Sequence, residues 1–193
     1  MKLVLASTSA SRRAMLEAAG VAFVAIDPGV DEDLLKAGAS DGLAVALRLA
    51  EAKAAAVEAA ADTFVLGADQ TLATEDGRLL GKAATVEIAA EQLRCLSGRT
   101  HRLHAAAALA QGGVTIWRSA ETVTMHVRPL SEHFIRDYLD AEWESVRWSV
   151  GCYHLEGRGA QLFDRVDGSH FAVLGLPLLP LLAELRARGV LPT

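Results

Sequence analysis

The sequence predicts a mixed α/β fold, and three observations support this prediction. Apolar residues make up 51% of the chain and aromatic residues only 5%, so the core must consist mainly of Ala, Leu and Val. The first half alternates short apolar runs with helix-like segments, which is typical of α/β units. Two long strand-like runs, 100–110 and 114–127, then follow each other directly. We therefore expect a mixed sheet in one domain, residues 1–193, with two lobes around a central cleft.

Short apolar runs and helix-capping residues define the elements of the first half. A run without helical period predicts a buried strand, a Gly after a periodic segment predicts a helix end, and a Ser or Asp before one predicts a helix start. The predicted order is a strand over 2–6, a helix that ends at Gly20, a strand over 21–26, a polar loop over 28–38, and a helix from Ser40 or Asp41 to about Ala61.

The second half is predicted by the same signals. A core strand over 63–74 is followed by a turn at Asp76-Gly77 and a helix from Thr85 to near Gly98. The strands 100–110 and 114–127 come next, and then a helix from Ser131 to about Ala141. The chain continues with mixed strand and turn over 149–168, including a hairpin in GCYHLEGRG, and a final helix with Pro177 in its first turn that stops at Gly189.

Charge and composition exclude several classes of function. The net charge of −5 argues against a surface for polymeric nucleic acid, which needs a basic face, but a small-anion pocket needs only a few local cations. Cys95 and Cys152 lie far apart without ligand spacing, so we expect buried free thiols. The apolar stretch 171–183 is shorter than the roughly 20 residues of a membrane span. We expect a soluble cytoplasmic protein that does not enter a membrane.

The segment STSASRR between the first strand and the first helix could bind an anion. Unpaired backbone N–H groups at a helix N-terminus, hydroxyl groups before them and two arginines suit phosphate oxygens. Ser7, Arg12 and Arg13 are the candidate residues. An ordinary capped helix with two solvated arginines explains the segment equally well, and local evidence does not decide between the two.

Asp69 is the candidate acidic group, because it ends an apolar run in LGADQ and strand ends of α/β sheets commonly carry ligand chemistry. A turn-forming Asp is the alternative. Glu32 could belong to a solvated acidic loop, and Lys53 could be a surface helix lysine. Lys82 follows Gly81 after a predicted hairpin and could reach a phosphate. Trp143 and Trp148 are interpreted as core or surface anchors rather than base-stacking residues.

Taken together, these segments resemble the Maf family. The matching motifs are LASTSASRR at 5–13, VDE at 30–32, LAEAK at 49–53, ADQ at 68–70, GK at 81–82, LSGRTH at 96–101, EGRGAQLF at 156–163 and GLPL at 175–178. They keep the same order over almost the whole chain, which makes the resemblance specific.

The resemblance implies a fold, a reaction and a site. The fold is similar to that of the inosine-triphosphate pyrophosphatase type, a two-lobed α/β structure with a deep cleft. The reaction splits a nucleoside triphosphate into a monophosphate and pyrophosphate with a divalent cation, Mg²⁺ or Mn²⁺, commonly in a homodimer. The implied roles are phosphate binding for Ser7, Arg12 and Arg13, cleft lining for Glu32, Lys53 and Lys82, proton acceptance for Asp69, and metal binding for Glu32 and Asp69.

Two positions bear on the choice of nucleotide. Gln70 and Glu156 match the family branch that acts on 7-methyl-GTP, whose methylated guanine is cationic and would be attracted to a carboxylate. LSGRTH is more typical of the branch that acts on dTTP and UTP, so that substrate class stays an alternative. A non-catalytic nucleotide-binding regulator of septum formation is another alternative, and a phosphomonoesterase is a third.

Overall fold

The computed structural model describes residues 2–36 and 41–192. In these residues, seven strands form one sheet in the order β2-β1-β3-β5-β6-β7, with β4 paired to β3. The strands are β1 (Lys2–Ala6), β2 (Val24–Ile26), β3 (Thr63–Thr74), β4 (Leu79–Leu80), β5 (Thr100–Gln111), β6 (Val114–Val127) and β7 (Phe163–Asp167). β1 pairs in parallel with β2 and β3, whereas the other pairs are antiparallel. The predicted mixed α/β fold is confirmed, while the two lobes stay a prediction.

The described helices are α1 (Ala10–Ala18), α2 (Glu32–Lys36), α3 (Gly42–Ala56), α4 (Val86–Leu96), α5 (Glu132–Val146), α6 (His170–Val173) and α7 (Leu178–Ala187), with a 3-10 helix at Arg158–Leu162. Four of them begin at a side chain that accepts a hydrogen bond from the first helical turn. These capping residues are Ser9, Asp41, Thr85 and Ser131. None of the described helices is both long and apolar enough to span a bilayer.

The core consists mainly of small and aliphatic side chains, as the composition predicts. One cluster lies around Leu72, Met125 and Tyr138, and another lies around Leu5 and Leu66. Alanines of α3 pack on alanines of β5, which allows the helix to lie close to the sheet. The backbone of α3 also lies close to β3 at Gly67, where a Cβ would be only 2.1 Å from the carbonyl oxygen of Ala50.

The largest difference from the predicted elements is α2, which replaces part of the predicted loop 28–38. Lys36 Nζ lies 2.7 Å from Glu32 Oε2, and an ion pair of this i,i+4 spacing stabilises a helical turn. The predicted cap Ser40 lies outside the described residues, and Asp41 caps α3. The helix ends at Ala56 because Val57 adopts an extended conformation and packs in a core cluster with β1 and β3.

Three further boundaries differ because tertiary packing determines them. β2 starts at Val24, since buried Val21 instead donates its N–H to the carbonyl of Leu16 and closes the end of α1. α5 continues past Ala141 because it buries Val146. Pro177 occupies the cap position before α7 rather than its first turn.

Two expectations were wrong. GCYHLEGRG forms turns that lead into the 3-10 helix, not a hairpin, and Cys152 has a positive φ of 54° there. A positive φ interrupts strand geometry and is unfavourable for a residue other than glycine. Cys152 is a buried thiol as predicted, whereas Cys95 is only half-buried.

Candidate functional site

The parallel pairing of β1 and β3 determines where the site lies. Ala6 is opposite Gly67, so Ser7, which follows β1, lies level with the part of β3 that carries Asp69. A pocket of about 730 Å³ opens at this position. Eight predicted site residues line it: Ser7, Arg12, Glu32, Lys53, Asp69, Gln70, Lys82 and Glu156. Arg13 is exposed and is not among the described lining residues, so the geometry does not support its predicted phosphate contact.

Hydroxyl groups hold the loop between β1 and α1 in a defined shape. The buried Ser7 Oγ accepts a hydrogen bond from the backbone N–H of Ser9 at 3.2 Å and another from Arg12 Nη1 at 3.4 Å. Ser9 Oγ in turn accepts from the backbone N–H of Arg12 at 3.4 Å and caps α1. The positive end of the α1 dipole and the Arg12 guanidinium therefore face the same pocket, which suits an anion.

Arg12 is positioned from the opposite side by the segment after α6. Its Nε donates to the carbonyl oxygen of Gly175 at 2.9 Å. Burial lowers the pKa of Arg12, whereas Asp69 and Glu32 raise it, and an arginine stays cationic under such shifts. A Cβ at Gly175 would lie 3.4 Å from Arg12 Nη2, and the φ of +94° also favours glycine. The sequence contained Gly175 in GLPL but gave no sign of this contact.

A chain of alternating charges crosses the pocket floor. Lys53 Nζ lies 2.6 Å from both Asp69 Oδ1 and Glu32 Oε1, and Glu32 Oε2 binds Lys36. Lys53 and Asp69 are buried, so the alternative of a surface helix lysine is wrong. Removal of one partner from a buried ion pair leaves an uncompensated charge, which makes this arrangement strongly interdependent. Lys36 is a pocket residue that the sequence did not reveal.

Glu32 is held ionised by its lysine partners. Burial raises the pKa of Glu32, but hydrogen bonds and positive charge from Lys36 and Lys53 lower it from 4.5 to about 2. A carboxylate with a lowered pKa stabilises the folded state above its unfolded pKa and loses this effect as the pH falls towards its folded pKa.

We expect Glu32→Gln to lower the free energy of unfolding at pH 7, and the difference from the wild type to shrink as the pH falls from 4.5 towards 2. Urea unfolding at several pH values measures this difference. Glu17→Gln, on the exposed face of α1, is the matched control and should show no such trend. A difference that is constant with pH would contradict the role of the Glu32 charge.

The residues at the pocket floor fit a divalent cation. Asp69 Oδ2 is buried and has no hydrogen-bond partner among the described residues, so it is available to a ligand. Those residues contain no group of three or more His, Cys, Asp or Glu side chains that could enclose a metal. An ion of the Mg²⁺ type needs no such group, because it keeps several waters and uses one or two carboxylates together with substrate phosphates. Asp69 could supply such a ligand through Oδ2, whereas Glu32 would have to share its oxygens with Lys53 and Lys36.

Gln70 connects β3 to α6. Its Nε2 donates to the carbonyl oxygens of Ala172 at 2.8 Å and Val173 at 2.9 Å, which uses both amide hydrogens. Only the amide oxygen is left for a ligand. Gln70 therefore fixes the segment that also positions Arg12, in addition to lining the pocket.

Another wall of the pocket is formed by the segment from Ser145 to Glu156, for which the sequence indicated only Glu156. Hydrogen bonds of two tyrosine side chains hold this segment in place. Tyr138 Oη donates to the carbonyl of Cys152 at 3.1 Å, and Tyr153 Oη shares a hydrogen bond of 2.7 Å with His101 Nε2. Burial lowers the pKa of His101 to about 4, so its ring is neutral at pH 7. These contacts fix the backbone next to the pocket despite the positive φ of Cys152.

Fold and site together define an α/β protein whose cleft contains a buried carboxylate beside several cationic side chains, an arrangement suited to an anion. The sequence profile described as "Maf-like protein" matches residues 2–188. The chain therefore belongs to the Maf-like family, which confirms the resemblance seen in the motifs.

Named relatives align with nearly the whole chain. It is 47% identical over 197 residues to a "Nucleoside triphosphate pyrophosphatase" of Sphingopyxis alaskensis, with 100% of both chains covered. It is 46% identical to a protein of the same name from Caulobacter vibrioides, over 98% of this chain and 96% of that one. It is 45% identical to a "7-methyl-GTP pyrophosphatase" of Rhizobium meliloti, over 98% of each chain.

Proposed function

We propose that this protein hydrolyses nucleoside triphosphates to a nucleoside monophosphate and pyrophosphate, with 7-methyl-GTP as the preferred substrate. The observation that carries the proposal is the buried Asp69 carboxylate, whose Oδ1 is bound by Lys53 while Oδ2 has no partner among the described residues. The pocket that it faces also contains Arg12 and Lys82. The names of the full-length relatives support the same reaction.

Several groups are available to the triphosphate, which carries about four negative charges that must be neutralised before water can approach. Arg12 can offer Nη2 and the second hydrogen of Nη1, because its Nε is bound to Gly175 and its Nη1 also donates to Ser7. Lys82 is exposed at the pocket and has no ion pair within the described ranges. A divalent cation held by Asp69 and Glu32 would supply further positive charge to the phosphates.

Asp69 is suited to accept the proton of the attacking water. Lys53 holds Oδ1 in place, so Oδ2 is the oxygen that can take the proton, and its second lone pair would remain for a cation. The water oxygen then forms a bond to the α-phosphorus, and the bond between the α-phosphorus and the oxygen that bridges to the β-phosphate breaks. Arg12 and Lys82 stabilise the negative charge of the departing pyrophosphate.

Glu156 supports the choice of 7-methyl-GTP. It lies at the pocket on the segment after α5, where a carboxylate attracts the positive charge that N7-methylation gives to guanine. The Rhizobium meliloti relative carries this substrate in its name. The bases of dTTP and UTP are neutral and would gain no ionic attraction to Glu156.

Glu156→Gln should reduce the preference for 7-methyl-GTP over GTP, measured as the ratio of their kcat/KM values, by roughly fivefold, because a neutral amide loses an attraction worth on the order of 1 kcal/mol. Hydrolysis of unmethylated GTP should change little. Glu91→Gln, on the exposed face of α4, is the matched control. An unchanged ratio in Glu156→Gln would contradict the assignment of the substrate.

A panel of nucleotides with Mg²⁺ or Mn²⁺ tests the function itself. Release of pyrophosphate supports the proposal. A preference for dTTP and UTP would instead assign the protein to the family branch that acts on those two nucleotides. Release of orthophosphate would indicate a phosphomonoesterase, and nucleotide binding without turnover would indicate a regulator. The divalent cation, the cytoplasmic location and the homodimer stay predictions.

A further inference from the structure

Trp148 is a large apolar side chain that is exposed at the pocket. Its exposed fraction is 69%, and among the large apolar side chains that are exposed in the described residues it alone lines the pocket. An exposed indole forgoes the stabilisation that burial of its apolar surface would provide, on the order of 25 cal/mol per Å². Trp143, in contrast, packs against the core as the sequence analysis expected. The interpretation of Trp148 as a simple anchor therefore does not explain its position.

The ring of Trp148 is held by a neighbouring cation. The Arg147 guanidinium carbon lies 5.1 Å from the Trp148 ring and 5.2 Å from the Trp143 ring. Arg147 Nη1 lies 3.5 Å from Glu144 Oε2, which compensates part of its charge. Despite this contact, 69% of Trp148 stays exposed, and the residue lines the pocket. The indole is therefore orientated before any ligand arrives.

The residues next to Trp148 are fixed and polar. Ser149 Oγ shares a hydrogen bond of 2.7 Å with His154 Nε2, and both residues line the pocket. Glu156 belongs to the same wall. A pocket wall that carries an aromatic surface, hydrogen-bonding groups and one carboxylate suits a nucleobase, which has flat faces and polar edges.

We propose that Trp148 is the stacking surface for the nucleobase, so that it determines specificity while Asp69 and the cations act on the phosphates. This inference rests on the proposed function. The preferred ligand is a purine, and a cationic N7-methylated purine gains an additional attraction to the indole face. Glu156 supplies the complementary negative charge at the edge of the base.

The kinetic test separates base recognition from phosphate recognition. Trp148→Ala should raise KM for 7-methyl-GTP about tenfold with kcat changed by less than about twofold, since stacking of a base on an aromatic ring commonly contributes that much. Trp148→Phe should restore most of the affinity. Inhibition by inorganic tripolyphosphate, which has no base, should be the same in all variants. Leu179→Ala removes an exposed apolar side chain outside the pocket and is the control.

A binding test does not depend on turnover. The chain has three tryptophans, and titration with 7-methyl-GMP should quench the wild-type fluorescence through Trp148. The quenching should be largely lost in Trp148→Phe. An unchanged KM in Trp148→Ala, or an equal weakening of tripolyphosphate inhibition, would overturn the inference. If the wild type hydrolyses no nucleotide, the proposed function fails, whereas quenching of Trp148 by the nucleotide would still support the stacking surface.

Discussion

Asp69→Asn should lower kcat for nucleoside triphosphate hydrolysis by about 10³-fold, within the range that a positioned general base contributes. The amide has nearly the same shape as the carboxylate but cannot accept the proton of the attacking water. Lys53 keeps Glu32 as an ionic partner at 2.6 Å, so we expect the variant to fold. Release of pyrophosphate under saturating substrate measures the effect.

The matched control is Asp140→Asn, which makes the same chemical change on the exposed face of α5 and should leave kcat unaltered. Circular dichroism and thermal unfolding of both variants would show whether the fold is retained. A folded Asp69→Asn protein with wild-type kcat would exclude Asp69 as the base and end the proposed mechanism.

Gly67→Ala should lower the free energy of unfolding by about 3 kcal/mol, at the upper end of the usual effect of overpacking a core. A Cβ at this position would lie 2.1 Å from the backbone oxygen of Ala50 and 2.5 Å from the backbone nitrogen of Ala54, both in α3. Backbone atoms cannot rotate away, so α3 must move off β3. Since α3 carries Lys53 and β3 carries Asp69, the same shift should also reduce hydrolysis.

Gly81→Ala is the control for Gly67→Ala, because a Cβ there meets no atom within 4 Å and the backbone has no positive φ. Its unfolding free energy should stay within about 0.5 kcal/mol of the wild type. Urea unfolding measures both variants. Equal stability of the Gly67 and Gly81 variants would show that α3 and β3 do not pack as tightly as the structure indicates.

Local signals in the sequence predicted most elements, because strands and capped helices depend on neighbouring residues. Thr85 and Ser131 cap their helices as expected, and β3 covers the full predicted range 63–74. Boundaries such as Val57 depend on distant packing partners, which a single sequence does not show. The Glu32–Lys36 ion pair stabilises the single turn of α2. The polar composition of the segment around it predicted a loop, so the turn was not expected from the sequence.

The site was predicted through family motifs more than through local chemistry. The sequence alone gave Lys53 no distinction from a surface lysine, because its burial follows from the approach of α3 to β3 at Gly67. Arg13 shared a motif with Arg12, yet the turn of α1 leaves it outside the pocket. Trp148 had no distinguishing context in the sequence, since its neighbours in the pocket come from other parts of the chain.

The register that places Ala6 opposite Gly67 belongs to the parallel part of the sheet, whereas the wall from Ser145 to Glu156 connects α5 to the 3-10 helix. The groups proposed for hydrolysis and for base selection thus lie on different elements of one scaffold, which contact each other through Tyr153 and His101. Exchange of an exposed wall side chain such as Trp148 or Glu156 should leave the pairing of β1 with β3 in place. Under the proposed function, such an exchange would alter the preferred base without moving the groups that act on the phosphates.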